Sequence, residues 1–273
     1  MSNNLELFIG TLRSDNTKNS YRKDLKAMFK HIAKSETEIE LVDLLGWVSA
    51  MNESDLATST IARRIGTAKK YFDFLIEIDV VDKNPAKKLT PPKIVNKVEP
   101  TLTVEDVNKI MSCTTNARDR AIIAMLASTG MRISELINIT LDDIEGDVIH
   151  IIGKGSKRRM VHINAKTKEY LNDYLKVRKD GIDNLFVSNR CTPMVADNIN
   201  HTLKTLASKA GVDKNVHNHS LRHLFATSML DHNVSLERIQ LCLGHSNITT
   251  TTRYAKIRNE REVVRDVMNI EVF

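Results

Sequence analysis

Cysteine is scarce in this chain of 273 residues, and the three that occur stand far apart. Cys113, Cys191 and Cys242 are odd in number and in no C-x-x-C spacing, which predicts reduced thiols in a cytosolic protein rather than a disulfide framework. Cys242, between leucines ahead of Gly244, reads as a small buried hydrophobe. Long apolar runs are missing too. The opening MSNNLELFIGTLRSD has no basic region before an apolar stretch, and no later run approaches the roughly 20 residues of a membrane span, so secretion and membrane insertion are both disfavoured. Two motif tests also fail. HNHSLRH sets His219 and His223 on one helical face with His217 near, but lacks the glutamate of the zinc-protease H-E-x-x-H, and GKGSK lacks the G-x-x-x-x-G-K spacing of a phosphate cradle. No metal site and no cofactor is expected.

The length suits two domains better than one core, and a hydrophobic fraction of 41% is ordinary for a globular protein. A net charge of +6 suits a polyanionic partner, although charge of this size is as often a matter of solubility. From about Leu5 to Val81 the apolar spacing is helical, with long segments near Thr17 to Lys34 and Thr58 to Asp79. Tyr21, Leu25, Met28, Phe29 and Ile32 stripe the first, opposed by Lys23, Lys26, Lys30 and Lys34. Ile61, Ile65, Ala68, Phe72 and Leu75 stripe the second, opposed by Arg63, Thr67 and Lys70. Each helix thus offers one face to a core and one basic face, which is either solvated or sorted to track phosphates. Proline then punctuates the chain. Asn84-Pro85 ends the helical region, and LTPPKIVNKVEP, with Pro91, Pro92 and Pro100, reads as an extended linker.

Beyond the linker, Thr103 opens a helix with Asp106 in a variant capping box; a second runs from about Ala117 to Thr129, stopped by Gly130, and a third carries Ile133 to Ile137. Arg132 falls at that last junction, with Glu135 about one turn on. DVIHII and RRMVHI read as two short strands around GKGSK, which places Lys154 between glycines and Lys157, Arg158 and Arg159 on a basic turn that is either solvated or on DNA backbone. Further helices are expected near Lys166 to Arg178 and Met194 to Ala210, with a short NLFVS strand between. Asn200, His201 and Lys204 on the latter could reach a groove or simply be exposed.

The stretch from Val216 to Ala255 orders His219, Arg222, His245 and Tyr254 in a way that suits attack on a phosphate. A tyrosine nucleophile needs donors around the two non-bridging oxygens, where negative charge builds, and Arg222 and His245 can supply them. Ser246 or Asn247 can cap a short helix bearing Tyr254. Four threonines, Thr249 to Thr252, are costly there, by about 2 to 3 kcal/mol against alanine, which suggests a segment marginally ordered without DNA and positioned on assembly. Val263, Val264, Val267 and Met268 share one helical face in the ending, which folds back on its own domain or docks elsewhere.

HSLRH, LGH and RY, together with TGMRISEL around Arg132 and GKGSKRRMV around Lys154, resemble the tyrosine recombinase (phage integrase) family in its short two-domain, Xer-like form. The resemblance runs in order through most of residues 101 to 260. It implies a mainly α fold with a small antiparallel β-sheet. Residues 1–90 would form a helical core-binding, SAM-like DNA-binding domain, 91–100 a linker that lets the domains clamp DNA, and 101–273 an α+β catalytic domain with its C-terminal helix or tail. It implies Tyr254 as nucleophile, Arg132, Arg222 and His245 on the phosphate oxygens, His219 assisting proton movement, Lys154 as general acid and Glu135 fixing Arg132. Lys23, Lys26, Lys30, Arg63, Lys70, Lys157, Arg158 and Arg159 would contact DNA. The implied partners are double-stranded DNA with inverted-repeat arms and further copies of the chain in a synaptic tetramer, where the ending docks on a neighbouring protomer. MVHI stands where a proline is frequent and Leu224 where a threonine is frequent, neither at a presumed catalytic position. A type IB topoisomerase, which shares the phosphotyrosine chemistry, and a noncatalytic DNA-binding protein on the same fold are the alternatives.

Overall fold

The computed structural model describes residues 3–93, 101–153, 158–244 and 251–252. The chain divides into two compact units, Met1–Lys97 and Val98–Phe273, each with its own hydrophobic core.

Unit one is built from α1 (Asn3–Thr11), α2 (Asp15–Ile32), α3 (Leu41–Asn52) and α4 (Thr58–Glu77). The stripes read from the sequence turn inward: Leu25 and Met28 of α2 meet Ile61, Ile65, Ala68, Phe72 and Leu75 of α4, all buried. Tyr71 is fully buried against Phe8, Phe29 and Phe72 in edge-on contacts, and its hydroxyl donates to the buried carboxylate of Glu36. Lys23, Lys26, Lys30 and Lys70 lie on the exposed side as expected. The basic face of α4 is less uniform than its spacing suggested. Thr67 is buried, not exposed, and with Arg63 it donates to Asp24, a buried carboxylate on α2 that Arg64 also approaches. Removing a carboxylate from water is tolerable only where donors replace that water, so Asp24 draws α4's polar side chains toward the seam.

Unit two starts with α5 (Val104–Ser112), where the Thr103 hydroxyl accepts from the Asp106 N–H and the Asp106 carboxylate accepts from the Thr103 N–H. Next, α6 (Ala117–Thr129) is capped by Asn116 and stopped by Gly130 at φ +60°. This helix is the centre of the unit. It buries Ala121, Ile122, Ile123, Met125, Leu126 and Thr129, and so is apolar around most of its circumference, because α8 (Ala165–Val177) and α10 (Asn218–Asp231) both pack on it. Between α7 (Ile133–Ile137) and α8 lies an antiparallel sheet of β1 (Ile144–Glu145), β2 (Val148–Ile152) and β3 (Arg158–His162), in that order. Sequence patterning missed β1, a strand too short to show alternation. In β2 and β3, Ile149, Ile151 and Val161 face the core while His150, Ile152 and Met160 face out.

After α8 the expected NLFVS strand is instead two isolated bridges, Thr140 with Asn184 and Val187 with Pro193, around buried Leu185 and Phe186. The apolar run is there to fill the core, not to extend the sheet. The chain continues through α9 (Ala196–Lys209) and α10 to α11 (Leu236–Leu243), whose C-cap is Gly244 at φ +64°. Cys242, expected inside, is exposed, as are Cys113 and Cys191. The buried positions of α11 are Ile239 and Leu243, one turn apart, and Cys242 falls out of that phase.

Candidate active site

Three breaks in helix bring the polar side chains of unit two together. At the first, Gly130 ends α6 in the left-handed region, which a side chain would make strained, and a Cβ there would lie 2.9 Å from Leu243 as well as striking Phe225. That close approach lets the chain turn at once into α7, with Arg132 as its N-cap. Glu135 closes the turn: its Oε2 accepts from the Arg132 backbone N–H at 2.7 Å, and its Oε1 accepts from Arg132 Nη1 at 2.9 Å. Glu135 thus meets Arg132 through one backbone and one side-chain hydrogen bond. Glu135 is 5% exposed, and burial alone would raise its pKa. Hydrogen bonds and charge from Arg159 and Arg132 outweigh that burial and hold the carboxyl below its ordinary value, hence ionised at neutral pH.

At the second break, α10 opens with Ser220 Oγ accepting from the His217 N–H at 2.9 Å. One turn inside, Arg222 is 4% exposed, and its Nη1 and Nη2 donate to the carbonyls of Gly130 at 2.5 Å and Leu243 at 2.7 Å. The third break is the end of α11, where the Gly244 carbonyl accepts from Arg132 Nη2 at 3.2 Å. Arg132 and Arg222, 90 positions apart in the sequence, thus hold adjacent carbonyls of one turn, the turn that leads to His245.

His219 precedes Arg222 on α10, with its ring 6.1 Å from that of His217. The residue is exposed, yet its imidazole pKa is lowered, first by desolvation and then by its neighbours His217, Arg222 and Arg132. A neutral ring there can accept a proton at pH 7. His223 is partly buried one turn further along α10. Among the described residues, no cluster of His, Cys, Asp and Glu is arranged to hold a metal ion, and no helix is long and apolar enough to cross a membrane.

Lys154, Lys157, His245 and Tyr254 lie outside the described residues, as do Ser246 to Thr250 and the Val263 to Met268 face. Arg158 is exposed, as a DNA contact requires. Arg159 is not. Expected on the DNA backbone, it turns inward from β3, and its Nη1 and Nη2 donate to Glu135 Oε1 and Oε2 at 2.8 and 2.9 Å. The signal that could have found it is the period of two: Arg159 is in phase with the apolar Val161 and Ile163, whereas Arg158 and Met160 are in the opposite phase. Arg63 likewise spends its charge on Asp24 while remaining partly exposed.

A helical unit is thus followed by a helical unit with a small three-stranded sheet, in which two arginines hold one turn. Residues 100–261 match the model of the phage integrase family, and residues 5–78 match that of its N-terminal SAM-like domain, so the chain belongs to the phage integrase family. It is 30% identical over 266 residues to tyrosine recombinase XerD of Oceanobacillus iheyensis, covering 91% of this chain and 90% of that protein. Tyrosine recombinase XerC of Caldanaerobacter subterraneus subsp. tengcongensis is 31% identical over 290 residues, covering 94% and 82%. Among solved structures, the XerA recombinase is 26% identical with a TM-score of 0.56, covering 96% of this chain and 98% of that one. A lambda integrase (75–356) dimer bound to a COC′ core site, 16% identical and covering 92% of both chains, shares the fold with a TM-score of 0.78. The chain is a site-specific DNA recombinase of the tyrosine class, an enzyme that transfers DNA strands.

Proposed function

We propose that this recombinase cuts DNA with the Tyr254 hydroxyl and holds the broken strand as a 3′-phosphotyrosyl ester until rejoining. The observation that carries the reading is the convergence of Arg132 and Arg222 on the turn between Leu243 and Gly244, immediately before His245. Donors grouped in this way suit the non-bridging oxygens of a phosphodiester, where charge accumulates as the tyrosine attacks. A free phenol has a pKa of about 10, so only ~0.1% is phenolate at pH 7, and the attack needs nearby cations and a proton acceptor. In this reading Arg132, Arg222 and His245 clamp the phosphate, the neutral imidazole of His219 assists proton movement, and Lys154 protonates the leaving 5′ oxygen. Because the ester conserves the energy of the phosphodiester, rejoining is driven by neither ATP nor a metal.

The finer assignments belong to the same proposal. The substrate is duplex DNA with two inverted arms around a short spacer, and strand exchange takes place in a tetramer of this chain with the ending of each protomer docked on a neighbour. Residues 1–90 bind the core site through exposed Lys23, Lys26, Lys30 and Lys70, with Arg63 beside them; 91–100 link the domains, and 101–273 carry the chemistry, with Lys157 and Arg158 on the DNA backbone. Three exposed thiols without disulfide spacing support work in the cytoplasm. The test incubates wild type and Tyr254→Phe with nicked duplexes carrying candidate sites. Wild type is expected to form a covalent adduct and Tyr254→Phe to bind equally well without one. An adduct with Tyr254→Phe, or a wild type that binds these sites without ever forming one, contradicts the proposal.

A further inference from the structure

One carboxylate in unit two serves two guanidinium groups. Glu135 accepts Arg132 through one side-chain and one backbone donor, and the same two oxygens accept the terminal nitrogens of Arg159. Both arginines then meet the same glycine. Arg132 Nη2 donates to the Gly244 carbonyl, while a Cβ built on Gly244 would lie 2.6 Å from Arg159 Nη1 and 3.0 Å from its Cζ. The inner face of β3, the N-cap of α7 and the C-cap of α11 are therefore tied at a single point. The side chain of Arg159 is 14% exposed, and both its terminal nitrogens meet a carboxylate that offsets its charge, whereas the carbonyls held by Arg222 are neutral.

We infer that Arg159 is a positioning residue for strand cleavage: it acts through Glu135 to fix the Arg132 guanidinium and packs beneath the Gly244 turn, and it does not hold DNA. The inference rests on reading Arg132 as a phosphate clamp. Arginine is required at this place because its planar fork meets both carboxylate oxygens at once, whereas a lysine ammonium meets them as a point charge. A clamp displaced by even 1 Å loses much of its effect on the transition state, so the loss falls on the chemical step and not on binding. A second consequence is particular to this arrangement. Among the described residues, the charged groups facing Glu135 are Arg159 from β3 and Arg132 from the N-cap of α7. Without Arg159, burial presses the Glu135 carboxyl toward its neutral form, and the acid limb of the cleavage profile moves to higher pH.

The test measures single-turnover cleavage of saturated nicked duplex, from pH 5 to 8, and binding against salt, for wild type, Arg159→Gln, Arg159→Lys and Arg158→Gln. Arg159→Gln is expected to cleave roughly 10- to 100-fold more slowly, with its acid limb raised and its salt dependence of binding unchanged. Arg159→Lys keeps the charge without the fork, and is expected to recover less than the full rate; it carries the same measurements if the glutamine variant is poorly folded. Arg158→Gln is the contrast, expected to reduce the slope of log affinity against log salt by about 0.9, as one lost phosphate contact does. If Arg159→Gln reduces that slope by the same amount while cleaving bound DNA at the wild-type rate, Arg159 is a DNA contact and the inference is overturned. A wild type that binds but never cleaves overturns the reading of Arg132 and this inference with it. Variants that match an active wild type overturn the inference alone.

Discussion

Breaking the contacts of Glu135 strands two charges, those of Arg132 and Arg159. Truncating one member of a buried ion pair typically costs about 3 to 5 kcal/mol, and Glu135→Ala is expected in that range, read as a shift in urea midpoint without a change in slope. Its folded pKa is depressed, so the stabilisation it gives is complete above the ordinary carboxylate range and is lost as pH falls through the folded value. His219 changes stability with pH in the same direction. Its folded pKa is also depressed, and for an imidazole this favours the neutral form, so folding is opposed as pH falls below about 6.5. An NMR titration should place its midpoint below that of a free histidine; a midpoint at or above it contradicts the cationic surroundings described for the ring. Gly130→Ala introduces a Cβ at φ +60° against Phe225 and Leu243. A loss of about 1 to 3 kcal/mol is expected, and a variant as stable as wild type would mean the turn relaxes freely.

At the scale of elements, what could be read early was whatever is encoded locally. The capping box at Thr103 and Asp106, the stop at Gly130 and the five residues of α7 depend on neighbours in the chain, and all lie where spacing put them. Asn116 shows why such signals are dependable: its Oδ1 accepts from the N–H groups of Arg118 and Asp119, so Asn116→Ala is expected to cost about 1 kcal/mol in thermal or urea unfolding. The elements that escaped are decided by partners far away. β1 exists only through its pairing with β2, and Leu185 and Phe186 are apolar to fill a core that other helices enclose. Thr67 and Arg159 were misplaced for the same reason. Each belongs to a buried carboxylate, Asp24 or Glu135, that a helical or strand period read in isolation cannot reveal. Arg132 and Arg222 were identified by resemblance, but their shared hold on one turn became visible only in three dimensions.

For the whole molecule, a net charge of +6 is modest and is spread over two separately cored units, so affinity for DNA depends on where the free cations lie rather than on their total. Several cations are already paired within the chain. Arg22 with Glu6, Arg63 with Asp24 and Arg159 with Glu135 contribute to the count without all being available to phosphate. Replacing exposed Lys23, Lys26 and Lys30 together should lower the salt slope of binding by about 2 to 3 if each meets a phosphate, and leave it unchanged if that face of α2 is merely solvated. Family membership fixes the class of chemistry, while the bond that is made and the residue that makes it remain the central claim. The most direct measurement traps the protein on nicked duplex, digests the adduct and locates the linked residue and DNA end by mass spectrometry. The account predicts a peptide carrying a 3′-phosphate on Tyr254. A link through another residue, or to a 5′ end, contradicts it.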